Sequence, residues 1–201
     1  MSATSLIPNA AALPGEEWRL PSRGRVAMFC LIIGESAIFT IFVVAYIFYI
    51  GKSLYGPAPQ QVLEIPVFGT ICLLSSSFVI WLAERALERN KIKLFGAFWA
   101  LTLALGVFFL VDTGLEWRTL IYEKGLTIST NLFGTTFYSL VGLHASHVLF
   151  GIVGLTTVLI FTLLGKVREE HSERIQVLAL YWHFVDAVWV VVFTVVYILG
   201  R

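Results

Sequence analysis

The stretch VAMFCLIIGESAIFTIFVVAYIFY, residues 26–49, decides the fold. At 1.5 Å of rise per residue it is long enough, as a helix, to cross a hydrocarbon core roughly 30 Å thick. Its only charged side chain is Glu35. An ionised side chain at the centre of a bilayer costs roughly 2.5 to 3.5 kcal/mol on insertion scales, so such a group faces protein or water and marks a functional site by default. The rest of the chain is therefore read by asking what it offers Glu35.

Four more segments have the same apolar character: residues 65–86, 94–117, 132–164 and 175–199. Five crossings predict an all-α polytopic membrane protein, a bundle of five transmembrane helices over residues 23–201 behind a tail of residues 1–22. The fourth segment is long for one crossing and is expected to tilt or protrude. Composition agrees, with 58% hydrophobic and 13% charged residues and a mean hydropathy of +0.84, where soluble domains carry about a quarter charged residues. A net charge of +1, with no Lys/Arg cluster interleaved with aromatics, excludes a nucleic-acid partner. The tail holds Pro8, Pro14 and Pro21 and no long apolar run, and the first apolar segment exceeds the 7 to 15 residue core of a signal peptide. Cys30 and Cys72 lie in apolar segments without partners at metal-ligand spacing, and are read as small hydrophobes.

Basic residues set the orientation. Arg19, Arg23, Arg25, Arg85, Arg89, Lys91, Lys93, Lys166, Arg168 and Arg174 fall on one side, and only Lys52, Arg118, Lys124 and Arg201 on the other. The N-terminus is thus expected to be cytoplasmic and the C-terminus external, with residues 51–64 and 123–131 as external loops, the first turning through Gly56-Pro57-Ala58-Pro59.

Counting from the cytoplasmic flanks puts Glu35 roughly 15 Å deep, and His183 and Asp186 roughly 13 and 18 Å deep. On the descending fourth helix, His144 and His147 come roughly 6 to 12 Å above the cytoplasmic edge. These five side chains are the candidate polar cluster, with Glu35 expected to be protonated or hydrogen-bonded to His183 or a neighbouring imidazole, because a bare carboxylate at that depth is too costly. Asp112 and Glu116, four apart on one face, form a separate acidic pair near the external end of the third helix.

Each group also has a purely structural reading. His144 and His147, three apart, share a spacing with metal ligands, yet they also suit hydrogen bonding across helices between small neighbours such as Gly142, Ala145 and Gly151. His183 and Asp186 satisfy one another locally, or join Glu35 in binding a lipid headgroup, gating water or buffering protons. Ser75, Ser76 and Ser77 are assigned no chemistry, since serines in membrane helices mostly bond their own backbone. No phosphate loop, nucleophile elbow or paired-carboxylate pattern occurs, so no catalytic residue is assigned. An independent proton-coupled transporter usually shows paired half-repeats, which this sequence lacks. A di-haem cytochrome needs further axial histidines at matched depths, and only His171, in a charged loop, and His183 remain.

Taken in order, Gly34-Glu35, Leu73-Leu74-Ser75-Ser76-Ser77, Gly114-Leu115-Glu116-Trp117, Gly142-Leu143-His144-Ala145-Ser146-His147-Val148 and Tyr181-Trp182-His183-Phe184-Val185-Asp186-Ala187-Val188-Trp189 resemble subunit III of the haem-copper oxidases, in the five-helix form of bacterial cytochrome c oxidases. The resemblance runs from about Arg25 to the C-terminus. It implies an accessory subunit of a proton-pumping, oxygen-reducing respiratory oxidase in the bacterial cytoplasmic membrane, partnered by subunits I and II, with subunit IV a further candidate. It implies that haem and copper belong to the partner subunits and that this chain holds no cofactor or metal, with a bound phospholipid as a candidate. In the family the acid matching Glu35 is the carbodiimide-reactive one, beside a phospholipid-filled cleft, and the subunit sustains proton uptake and protects the catalytic subunit during turnover. Mitochondrial-type members add two helices before the region matched here, and those helices help form the lipid cleft. The donor implied is cytochrome c; quinol, as in quinol oxidases, and an accessory role in a nitric oxide reductase are the alternatives.

Overall fold

A computed structural model describes residues 22–200. The secondary structure is wholly helical within them: α1 (Arg23–Tyr49), a single-turn α2 (Pro59–Val62), α3 (Val67–Glu88), α4 (Ile92–Tyr122), α5 (Leu132–Leu163) and α6 (Ser172–Phe193). A 3₁₀ turn, Glu169–His171, leads into α6, and a π-helical turn, Thr194–Leu199, continues it. Among the described residues, five helices are long and apolar enough to cross a membrane. The tail before residue 22 and the terminal Arg201 lie outside the described residues.

The helices differ from the apolar segments at their ends for identifiable reasons. Helix α3 starts after Pro66, which caps it, because the residue preceding a proline is held extended. Helix α4 runs five residues past Trp117, through Arg118 to Tyr122; charged residues end hydrophobicity, not backbone hydrogen bonding. At 32 residues α5 is roughly 48 Å long, well beyond a 30 Å core.

Turn chemistry fixes which ends meet. Only residues 89–91 separate α3 from α4, with Asn90 left-handed at φ 55°, and the N–H groups of Asn90 and Lys91 return to the carbonyls of Leu87 and Ala86, the closure that lets a helix stop abruptly. At that same end Arg25 donates to Gln176 Oε1 at 2.6 Å and Gln176 donates to Glu88 Oε1 at 3.1 Å, tying the start of α1, the start of α6 and the end of α3 together. At the opposite end Asn131 does three things. Its Oδ1 accepts from the Gly134 N–H and caps α5, and its Nδ2 donates to the carbonyls of Tyr55 and Pro57, so the two long loops are bound to one another.

Helix α6 is the axis of the packing. It lies against α1, α3 and α5, while α4 bridges α3 and α5; 44% of an apolar 18-residue stretch of it is buried, against 6% of the corresponding stretch of α1. Trp182 locks the centre: its indole N–H donates to Ser76 Oγ at 2.8 Å, and its ring occupies space left by Gly106 and Gly151. A Cβ on either glycine comes within 2.7 Å of that ring. Helix α1 buries only Phe39 and Tyr46 fully, seven residues apart and therefore on one face.

Candidate functional site

Glu35 lies on the same inward stripe of α1, four residues before Phe39, and this position aims it at α5. Its Oε2 is 3.0 Å from His147 Nε2. The other ring nitrogen, Nδ1, is 2.8 Å from the Leu143 carbonyl one turn earlier on α5. A carbonyl only accepts, so Nδ1 carries a hydrogen. The Nε2 to Oε2 bond then needs one more proton, held either by the acid or by the ring. Both arrangements are neutral overall, which removes most of the cost of placing an acid in this setting. The pair stands at the edge of the bundle, with side-chain exposures of 22% for Glu35 and 10% for His147. Tyr181 on α6 fixes the backbone beneath it by donating to the His147 carbonyl at 3.1 Å, and the Phe39 ring lies 5.0 Å from the imidazole.

His144 has a different fate. It is fully buried and neither ring nitrogen has a hydrogen-bond partner. Its ring stacks on Trp189 at 4.9 Å and meets the edge of Phe109 at 5.8 Å and of Phe39 at 6.4 Å. Of the two α5 histidines, His147 alone bonds across helices; His144 acts as a flat aromatic filler.

His183 and Asp186 share a face of α6 and are joined through a side chain of α3. Ser77 Oγ is 3.1 Å from His183 Nδ1 and donates to Asp186 Oδ2. On its other side His183 Nε2 is 4.0 Å from Glu84 Oε2. Asp186 is 3% exposed and its Oδ1 has no partner. Ser77 and Glu84 are neighbours of His183 and Asp186 that sequence reasoning missed. The serine run reads as backbone-bonding, and Glu84, beside Arg85 and Glu88, reads as part of a charged flank; the available signal was that Ser77, Glu84 and Glu88, spaced by seven and four, fall on one helix face.

The acidic pair lies at the other end. Tyr197, in the turn after α6, donates to Glu116, its hydroxyl 3.0 and 3.1 Å from the two carboxyl oxygens. Asp112 lies against α3 where Gly69 has no side chain. A cavity of about 290 Å³ opens there, lined by Glu64, Asp112, Glu116 and Lys124 among apolar neighbours, and Lys124 bridges to Glu64 at 2.9 Å and to the Val62 carbonyl at 2.8 Å. The five candidate side chains thus resolve into a Glu35–His147 pair, a His183–Ser77–Asp186 set and an apolar-walled His144, with the acidic pair apart. Among the described residues no group of three or more His, Cys, Asp or Glu side chains converges as metal ligands do.

A family model described as cytochrome c oxidase subunit III matches residues 22–201. Cytochrome c oxidase subunit 3 of Alkalihalophilus pseudofirmus is 31% identical over 199 residues, covering 96% of this chain and 97% of the relative. That of Synechocystis sp. is 35% identical over 210 residues, covering 98% and 86%. That of Tachyglossus aculeatus aculeatus is 34% identical over 143 residues, which is 71% of this chain and 53% of the longer relative.

Proposed function

The chain belongs to the cytochrome c oxidase subunit III family, and from that premise we propose that it is a non-catalytic subunit that supports proton uptake, lipid binding and the stability of the catalytic subunit. Family membership makes it a multi-pass membrane subunit of an oxygen-reducing oxidase and a partner of other oxidase subunits. The finer reading is that it packs with subunits I and II in a bacterial cytoplasmic membrane, N-terminus inside, and that cytochrome c supplies the electrons.

Haem and copper carry the oxygen chemistry in this reading and are assigned to the partner subunits. The commitments of the four histidines support that assignment. His147 is committed to Glu35 and the Leu143 carbonyl, His183 to Ser77, and His171 accepts from the Arg168 N–H at 3.3 Å. His144 is walled by Trp189, Phe109 and Phe39.

The observation that carries the proton and lipid roles is the Glu35–His147 hydrogen bond at the bundle edge. It holds one exchangeable proton beside a surface that faces lipid or a partner, while the net charge stays at zero. A carboxyl group there needs no buried counter-charge to remain stable, so it is free to exchange its proton or receive a lipid headgroup. The test is purification through a tag on this chain. Co-purification of haem-bearing and copper-binding subunits with oxygen consumption supports the reading; a preparation with no haem spectrum and no oxygen consumption overturns it, and a subunit II without copper ligands moves the donor from cytochrome c to quinol.

A further inference from the structure

A line of polar side chains runs along the interface of α3 and α6, away from the Glu35–His147 pair. Its mouth is at the end of the bundle where Arg25, Gln176 and Glu88 are hydrogen-bonded. One turn further along α3 is Glu84, then His183 at 4.0 Å, Ser77 at 3.1 Å from that imidazole, and Asp186. From Glu88 to Ser77 is eleven residues, roughly 16 Å along the helix. Exposure does not fall evenly along the way: Glu88 is exposed, the side chains of Glu84 and His183 are 17% and 36% exposed, and Asp186, at the inner end, is 3% exposed.

Hydrogen-bond accounting locates the protons. Ser77 has a single hydroxyl hydrogen and gives it to Asp186 Oδ2, so the bond to His183 uses the imidazole as donor, with the hydrogen on Nδ1. The nitrogen facing Glu84 is then Nε2. Asp186 Oδ1 is buried with no hydrogen-bond partner, and Ser76, next to Ser77 on α3, has its one hydrogen committed to the Leu73 carbonyl at 2.6 Å while its oxygen accepts from Trp182. Ser76 therefore has no hydrogen to offer that carboxyl group. A buried carboxyl oxygen without a donor is costly. A proton on this carboxyl group removes the charge that burial penalises.

We propose that this line is a proton store: the hydrogens placed above describe it empty, and when it is filled Asp186 holds a proton on Oδ2 that donates to Ser77 and exchanges through Ser77 and His183 with Glu84. Filling moves one proton inward at each link. Nε2 of His183 takes a proton from the Glu84 side, Nδ1 gives its hydrogen to Ser77 Oγ, and Ser77 gives its own to Asp186; emptying reverses the same hops and restores every donor and acceptor. No hydrogen bond continues beyond Asp186 to another titratable group among the described residues, so the line stores a proton and does not pass it across the bundle. The other ionisable groups on elements packed against α6 are Arg23, Arg25, Cys30, Glu35, Tyr46 and Tyr49 of α1, Cys72, Arg85 and Glu88 of α3, Tyr138, His144 and His147 of α5, and Glu169, Glu170 and His171 of the 3₁₀ turn, with Tyr197 in the turn that follows. None of them bonds or ion-pairs with His183 or Asp186 among the described residues.

The store deepens the proton-supply reading above and rests on it for its purpose, but its occupancy is a property of the resting complex. The test is infrared hydrogen–deuterium exchange spectroscopy on the purified complex without turnover. The expected result is a protonated-carboxyl band that Asp186→Asn removes and Asp112→Asn leaves, and whose exchange slows on the order of tenfold, the rate cost of about 1.36 kcal/mol of barrier, in Ser77→Ala and recovers in Ser77→Thr. If the asparagine variant fails to assemble, Asp186→Glu must move the band. A spectrum that Asp186→Asn leaves unchanged, a band that Asp112→Asn also removes, an unmoved band in Asp186→Glu, or exchange as fast in Ser77→Ala as in the parent overturns the proposal. A complex that loses endurance in turnover while this band behaves as described separates failure of the store from failure of the wider function.

Discussion

Replacing the two members of the Glu35–His147 pair, singly and together, produces unequal effects that follow from where hydrogens sit. Because His147 Nδ1 donates to the Leu143 carbonyl, Nε2 is free to accept. The amide N–H of a glutamine at position 35 supplies that bond without charge, so Glu35→Gln is expected to cost no more than about 0.5 kcal/mol, the range of substitutions that break no named interaction. His147→Leu removes the only side chain that, among the described residues, meets the Glu35 carboxyl at hydrogen-bond distance. A fully buried orphan costs about 1 to 3 kcal/mol, but Glu35 keeps 22% of its side chain exposed, and interhelical side-chain bonds in membranes average about 0.6 and reach about 1.7 kcal/mol. An expected loss of about 1 kcal/mol, roughly fivefold in an equilibrium constant, follows from those limits. The assay is the thermal release of this chain from the detergent-solubilised complex for the parent, both single variants and the double variant. A Glu35→Gln variant as labile as His147→Leu, or fully additive effects with no coupling between the positions, would refute the hydrogen assignment.

Three further outcomes are expected. Gly151→Leu forces a side chain where a single Cβ already comes within 2.7 Å of the Trp182 ring, so it should destabilise by about 1 to 3 kcal/mol or more through overpacking, read as loss of assembled complex; Gly114→Ala, with nothing within 4 Å, should be silent. Asn131→Ala removes the cap of α5 and both bonds to the 50–66 loop, costing about 0.5 to 2 kcal/mol for the cap alone, and hydrogen exchange should rise together at residues 53–58 and 132–135. Cysteine scanning tests orientation: Lys52→Cys should react with an impermeant thiol reagent from outside the cell and Lys93→Cys only after permeabilisation, and the reverse pattern contradicts the cytoplasmic N-terminus.

The five crossings were legible because a run of twenty apolar residues has few alternatives. Alternation of the basic flanks made successive segments antiparallel in the sequence, whereas the three-residue turn at 89–91 was not legible, since the apolar segments beside it end at 86 and begin at 94. Depth counting brought Glu35 and His147 near one level, and the structure joins them. Which face each side chain takes was not legible, because helices apolar on all sides carry no stripe that says inward. That is why Ser77 reads as a backbone-bonding serine until α6 is laid against it, and why His144 and His147, three apart on one helix, carry the same weight in the sequence yet meet an aromatic cage and a carboxyl group in the fold. Glu84 was hidden differently: its charge belongs to the helix end by position, while its side chain reaches His183.

The most direct test of the account is the oxygen-consumption trace of the purified complex carrying Glu35→Ala. An initial rate matching the parent, followed by earlier loss of activity during sustained turnover, is the predicted result for a subunit that supports proton supply and the endurance of a catalytic partner. Immediate and complete loss of oxygen reduction in a complex that still contains every subunit contradicts it.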